Sequence, residues 1–185
     1  SWLNFLKLRA SFGIINTDNI PYNGYWNATM NGSGGGYPIQ DNFGNGGAWQ
    51  EGTLPSLNGT TEKAYKYNVG VDATLFGGLT LMVDGFYERR QDIWVSTAGN
   101  NSSVLGTSSS YANAGIVDSK GVEVGADYTK KWGDFRLNVG GTFSFTKNII
   151  KEQMEEPRAY DYLYSTGKPV GQIFGYQAIG YFIDQ

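Results

Sequence analysis

The chain contains no histidine and no cysteine. The first absence removes the commonest general base and the commonest metal ligand. The second removes disulfides and thiolate metal sites, and leaves no redox compartment to be read. No apolar run approaches the roughly 20 residues that a membrane helix needs, so a helical membrane protein is excluded. The formal net charge is -3 and no basic cluster occurs, which argues against a nucleic-acid partner. The chain opens Ser1-Trp2-Leu3-Asn4, with neither an initiator methionine nor a charged and apolar leader, and reads as the middle of something larger.

What is present is unusual for 185 residues: 27 glycines and 15% aromatics, yet a mean hydropathy below zero. The strongest pattern is an alternation of polar and apolar side chains with period two, the signature of β-strands. Between Glu62 and Leu75, the residues Glu62, Ala64, Lys66, Asn68, Gly70, Asp72 and Thr74 fall on one side. Lys63, Tyr65, Tyr67, Val69, Val71, Ala73 and Leu75 fall on the other. The same alternation marks strands near 2–13, 79–95, 116–132 and 135–149, with Met82 and Phe86 intruding on the polar side of the third.

The connections alternate between short and long. Phe76-Gly77-Gly78 and Trp132-Gly133-Asp134 read as tight hairpins, with glycine where a positive backbone dihedral is favoured. The segments 14–61, 96–115 and 150–185 read as long loops rich in Gly, Asn, Ser and Thr. Short turns at one end and long loops at the other are the pattern of outer-membrane barrels. Asp72, Asp84, Asp127, Arg136 and Asn138 lie within the expected span and all point to the polar side. The apolar-side charges Lys63, Arg89, Lys120 and Lys130 lie toward segment ends, where their stems can snorkel. Tyr65, Tyr67 and Tyr87 are placed at the outer boundary, and Phe76, Tyr128, Trp132 and Phe135 at the boundary near the short turns. The fold class is therefore all-β, an antiparallel transmembrane β-barrel segment. A soluble sandwich is the rival, disfavoured because sandwich strands run nearer 5 to 6 residues.

Four stretches then resemble, in order, the SusC-like branch of TonB-dependent outer-membrane transporters. They are Leu6-Lys7-Leu8-Arg9-Ala10-Ser11-Phe12-Gly13; Tyr67-Asn68-Val69-Gly70-Val71-Asp72 with Leu75-Phe76; Asn113-Ala114-Gly115-Ile116-Val117 with Lys120-Gly121-Val122-Glu123; and Gly167-Lys168-Pro169-Val170-Gly171 with Phe174-Gly175-Tyr176 and Gly180-Tyr181-Phe182. Two positions depart from the family pattern: Arg90-Gln91-Asp92, where a threonine often precedes the aspartate, and Thr166, where an acid is common. The resemblance implies that residues 1–185 are part of a TonB-dependent receptor barrel domain, about five strands of the plugged class of about 22 strands. It further implies the outer membrane of a Gram-negative bacterium as location, with outer-membrane lipid around the wall. The implied partners are a SusD-like lipoprotein lid and a TonB energy-coupling complex reached through regions outside this segment. The implied activity is import of a bulky nutrient, an oligosaccharide or an oligopeptide, without enzymatic chemistry or a cofactor.

No residue set reads as catalytic or metal-binding. Glu155-Glu156 reads as a solvated loop pair, and the Asn-X-Ser/Thr sequons at Asn27, Asn31 and Asn58 as Asn-rich turns. Asp72 and Asp84 flank one turn at similar height, so their carboxylates are expected to approach each other across the hairpin, as hydrated acids in a wet lumen or as a specific contact for a cation or a plug. The expected lumen-facing polar set is Asn68, Asp72, Asp84, Glu123, Asp127, Arg136 and Asn138. The expected ligand-contacting aromatics are Tyr22, Tyr25, Trp26, Tyr37 and Trp49 of the first long loop, which suit stacking on sugars or peptide backbones. An outer-membrane enzyme barrel and a soluble carbohydrate-binding or adhesin sandwich are the alternative functions.

Overall fold

The computed structural model describes residues 2–18, 30–33, 48–56, 58–97, 102, 104, 106, 111–178 and 180–181. Its strands are β1 (Leu3–Thr17), β2 (Met30–Ser33), β3 (Ala48–Glu51), β4 (Glu62–Leu75), β5 (Leu79–Ser96), β6 (Tyr111–Trp132) and β7 (Phe135–Glu152). Five of them form one antiparallel sheet in the order β1-β4-β5-β6-β7, so each long strand pairs with its neighbour along the chain. The short strands β2 and β3 make a separate hairpin inside the first long connection. The long strands run 14 to 22 residues, well beyond the roughly 9 to 11 that cross a hydrocarbon layer.

The sheet has no facing layer among the described residues. Ala64 is their one buried hydrophobic side chain, while Val69, Val139 and Phe143 stand 62%, 57% and 64% exposed. A sandwich core would seal these positions, so the sandwich alternative fails on geometry.

Both short turns follow from their glycines. Gly133 has φ 58° and sits first in a two-residue loop closed by the Trp132–Phe135 pair, with positive φ confined to the glycine, as in a type II′ turn. In the β4–β5 turn, Phe76 (φ 50°) precedes Gly77 (φ 67°), and Gly78 N–H donates to Leu75 O at 3.1 Å. A left-handed phenylalanine costs about 1–2 kcal/mol. It is held by β1: Phe76 N–H donates to Trp2 O at 2.9 Å, and Gly77 N–H donates to Asn4 Oδ1 at 3.0 Å. Phe76 is thereby left outward at the foot of the sheet, 72% exposed.

Four boundaries differ from the sequence expectation. β1 continues to Thr17 because Ile14 to Thr17 pair with Tyr65 to Glu62. β5 and β7 extend to Ser96 and Glu152. β6 begins at Tyr111 rather than near Ile116, and Asn113 is its anchor. The Asn113 side-chain amide donates to Thr60 O at 2.9 Å and to Asp92 O at 2.6 Å, while its oxygen accepts from Thr60 N–H at 2.8 Å. Asp92 has φ 59° and marks a bulge where the β5–β6 register shifts between Arg90 and Ile93. Asn113 thus ties a bulge of one neighbour to the chain entering β4.

After β7 the chain folds back onto the outer edge of that strand. Gly167 N–H donates to Ile150 O at 2.8 Å, Ile150 N–H to Lys168 O at 3.0 Å, and Val170 N–H to Asn148 Oδ1 at 2.8 Å. Glu155 fastens the turn. Its carboxylate accepts from Ser165 N–H and Thr166 N–H, each at 2.8 Å, and from the Thr166 hydroxyl at 2.6 Å. The expectation of a merely solvated Glu155 is corrected: the acid is a strut. Partial desolvation works against its charged form, but the hydrogen bonds from Thr166 and Ser165 outweigh it and hold the carboxyl down to about 2.

The folded carboxyl titrates near 2 and an ordinary one near 4.5. The tether therefore stabilises the fold fully above pH 4.5 and is lost as pH falls through that value toward 2. Hydrogen exchange on the detergent-solubilised protein should show the protection factors of the Ser165 and Thr166 amides collapsing across that window. In Glu155→Ala the protection should be absent already at neutral pH.

Candidate functional site

In an antiparallel sheet, directly paired residues share a face. The observed register therefore decides which side chains meet. Along one row Arg9 pairs with Gly70, Gly70 with Asp84, Asp84 with Glu123, and Glu123 with Ser144. Neighbouring rows on the same face carry Asn68 beside Phe86, Asp72 beside Met82, Asp127 beside Gly140, and Arg136 beside Lys131. Asn138 pairs with Thr129, whose hydroxyl donates to Asn138 Oδ1 at 3.2 Å. The seven polar residues expected to share a face do so.

The centre of this face is an ion cluster joining three strands. Arg9 of β1 donates from Nε and Nη2 to the two oxygens of Asp72 on β4, at 3.0 and 2.8 Å. The same Nη2 reaches Asp84 Oδ2 on β5 at 2.8 Å. The expected approach of Asp72 and Asp84 is thus organised by a cation within the chain. All three side chains are 20–34% exposed, so water still screens the cluster. It lies five residues above the β4–β5 turn along β5, on the order of 12 Å for a strand tilted about 40°. That is near mid-height of an apolar band about 25 Å tall.

Glycine makes the cluster possible. Arg9 and Asp84 sit on opposite sides of β4, and Gly70 is the residue between them. A Cβ on Gly70 would collide with the Asp84 carboxylate and lie 2.9 Å from Arg9 Nη2. The device recurs across the face. Phe86 lies over Gly121, whose added Cβ would come within 2.6 Å of the ring; Met82 lies over Gly125; Asp127 lies against Gly140. Met82 and Phe86, out of pattern in the sequence, are therefore housed by glycines on the next strand.

Towards the long-loop end the polar face carries further pairs. Lys66 meets Glu88 at 3.2 Å, and Arg90 bonds Glu62 and lies 3.9 Å from Glu88. Arg90, one of the departures from the family pattern, is thus committed to two acids. Thr166, the other, donates its hydroxyl to Glu155, where an acid would set like charges together.

Of the five expected ligand-contacting aromatics, Tyr22, Tyr25, Trp26 and Tyr37 lie outside the described residues. Trp49 is on β3, paired with Gly32 and 70% exposed. Sequence reasoning missed Arg9 as the organiser of the acidic pair. Its parity put it on the right face, but only the β1–β4 register brings it to Asp72. Among the described residues no group of His, Cys, Asp and Glu could hold a metal ion.

An up-and-down antiparallel sheet of long strands, with an ion-laced face and an uncovered apolar face, defines the wall of a membrane β-barrel. Residues 2–181 match the model of the TonB dependent receptor-like beta-barrel family, and the chain belongs to that family. TonB-dependent receptor P39 of Formosa agariphila is 28% identical over 194 aligned residues, which cover 98% of this chain and 17% of that protein. Among solved structures, the RagAB peptide importer in its open-open state shares the fold with a TM-score of 0.66 at 21% identity. The match covers 82% of this chain and 16% of that one. The closed-closed state matches at 0.62 and 21% over the same shares. The chain thus spans about a sixth of the length of the relatives it matches.

Removing the cation leaves two carboxylates facing each other. Arg9→Met should lower the urea midpoint of the barrel, by less than breaking a fully buried pair would because water reaches the cluster. Gly70→Ala should produce a similar loss, and adding Asp72→Asn and Asp84→Asn to Arg9→Met should restore most of it. Urea unfolding of the barrel in detergent, read as a mutant cycle, measures all three.

Proposed function

We propose that this chain forms part of the wall of a TonB-dependent importer in the outer membrane of a Gram-negative bacterium. The observation that carries the reading is the two-faced sheet: polar side chains are stitched together across strands on one side, while the other presents uncovered apolar side chains between interfacial aromatics, with a few charges among them such as Arg89, Asp118, Lys120, Lys130 and Lys147. In this reading residues 1–185 belong to one barrel domain. The polar face lines the lumen and the connections 18–61, 97–110 and 153 onward open on the outside.

The cargo is a nutrient too bulky for passive pores. Among the candidate cargoes, an oligopeptide gains support from the fold shared with a protein described as a peptide importer. An oligosaccharide suits the aromatic-rich first loop equally well by chemistry. A SusD-like surface lipoprotein closes over the loops, and the driving work comes from TonB acting on a plug outside these residues. The wall positions and hydrates cargo and does no covalent chemistry.

Deleting the gene for the protein that carries this chain should abolish growth on peptides or on oligosaccharides as sole nutrient, and identify which. Uptake of the labelled nutrient should be lost equally on removing TonB. Unchanged uptake in both strains would refute the reading.

A further inference from the structure

On the apolar face, three rows of the register form a site that the import function does not use. The lower row runs Val69, Gly85, Val122 and Phe145; the middle row Tyr67, Tyr87, Lys120 and Lys147; the upper row Tyr65, Arg89, Asp118 and Ile149. Gly85 has no side chain, and a Cβ added there would meet only Val69 O, at 3.9 Å. The result is a slot of about 500 Å³ floored by Gly85 and walled by Tyr67, Val69, Tyr87, Val122 and Phe145, with Lys120 at its upper end. A second hollow of about 700 Å³ continues upward past Tyr65 and Arg89.

The charges above the slot are unbalanced. Lys120 and Lys147 are directly paired across β6 and β7, an arrangement in which like charges repel. Neither makes an ion pair among the described residues. Arg89 adds a third cation; its nearest counter-charge is Asp118, with Nε to Oδ1 at 3.9 Å, and Tyr87 also bonds Asp118. Three cations thus face one carboxylate. Their height is that of an aromatic stripe, with Phe12 4.9 Å from Tyr67 and Tyr67 6.1 Å from Tyr87 by ring centroids. Such stripes sit at head-group level.

An apolar slot topped by two lysines with no ion pair among the described residues complements one kind of molecule: a lipid whose acyl chain lies in the slot and whose phosphate lies between the lysines. The long-loop end of the sheet faces outward, so the lipid belongs to the outer leaflet. We propose that Lys120 and Lys147, with Arg89 beside them and Gly85 beneath, form a binding site for a phosphorylated glycolipid of the outer leaflet, lipid A being the probe. The phosphate relieves the lysine–lysine repulsion, and the acyl chain fills the space that a residue larger than glycine would occupy. This proposal rests on the membrane-wall reading above.

The test uses the full-length protein, purified in mild detergent, exchanged into nanodiscs containing lipid A and examined by native mass spectrometry after delipidation. Wild-type protein should retain lipid A, and Lys120→Gln with Lys147→Gln should retain it on the order of 10- to 30-fold less. Lys130→Gln, a lipid-side lysine at the opposite end, should behave as wild type. Dephosphorylated lipid A should bind wild type no better than lipid A binds the double variant. Gly85→Leu should weaken retention with both lysines in place. Equal retention of lipid A by wild type and the double variant would overturn the site, as would a protein rather than a lipid occupying the face. Failure of the protein to enter nanodiscs at all, with full solubility in detergent-free buffer, would instead overturn the membrane-wall reading.

Discussion

Alternate residues of each long strand make two faces of opposite character, one polar and one apolar, and a slip of one residue between neighbours would exchange them. In a globular protein a buried core punishes such a slip. Here no second layer exists among the described residues, so register has to be fixed within the sheet. The Arg9–Asp72–Asp84 cluster does this across β1, β4 and β5, because a slip of one residue carries Arg9 to the opposite face from both acids, and a slip of two moves it along the strand out of reach of them. Asn113 does it at the other end, reading the backbone of Thr60 and of the Asp92 bulge together. The two tight turns set the count between them.

The glycines of the polar face serve the same end by a different route. Gly70, Gly121, Gly125 and Gly140 each lie beside a larger side chain on a neighbouring strand, which lies across the glycine. Two consequences follow together: the face stays low, which suits the lining of a passage, and the fit between Arg9, Phe86 or Asp127 and its glycine holds only in one register. Polar satisfaction and steric fit therefore point to the same alignment, and such agreement is what gives a sequence a single structure.

Much of this was legible in the sequence. Period-two alternation located the five long strands, and glycine placed both tight turns. The polar positions from Asn68 to Asn138 could be assigned to one face by parity alone. Three things could not be seen. β2 and β3 are four residues each, too short for alternation to rise above the Gly- and Asn-rich background. Which acid meets Arg9 depends on register between strands separated by more than 40 residues, and no local pattern carries that. The apolar-side charges Asp118 and Lys147 share the parity of Val122 and Phe145, but they stand outside the expected set of Lys63, Arg89, Lys120 and Lys130. Their meaning comes from what faces them across the strand.

The fold-back after β7 has a mechanical corollary. Ile150 gives both its backbone hydrogen bonds to Gly167 and Lys168, so the outer margin of β7 is already occupied from Asn148 upward. Any strand that zips onto that margin must stop below this point. The long-loop margin of the sheet is then notched at β7, and the notch is furnished by the segment that Glu155 fastens down.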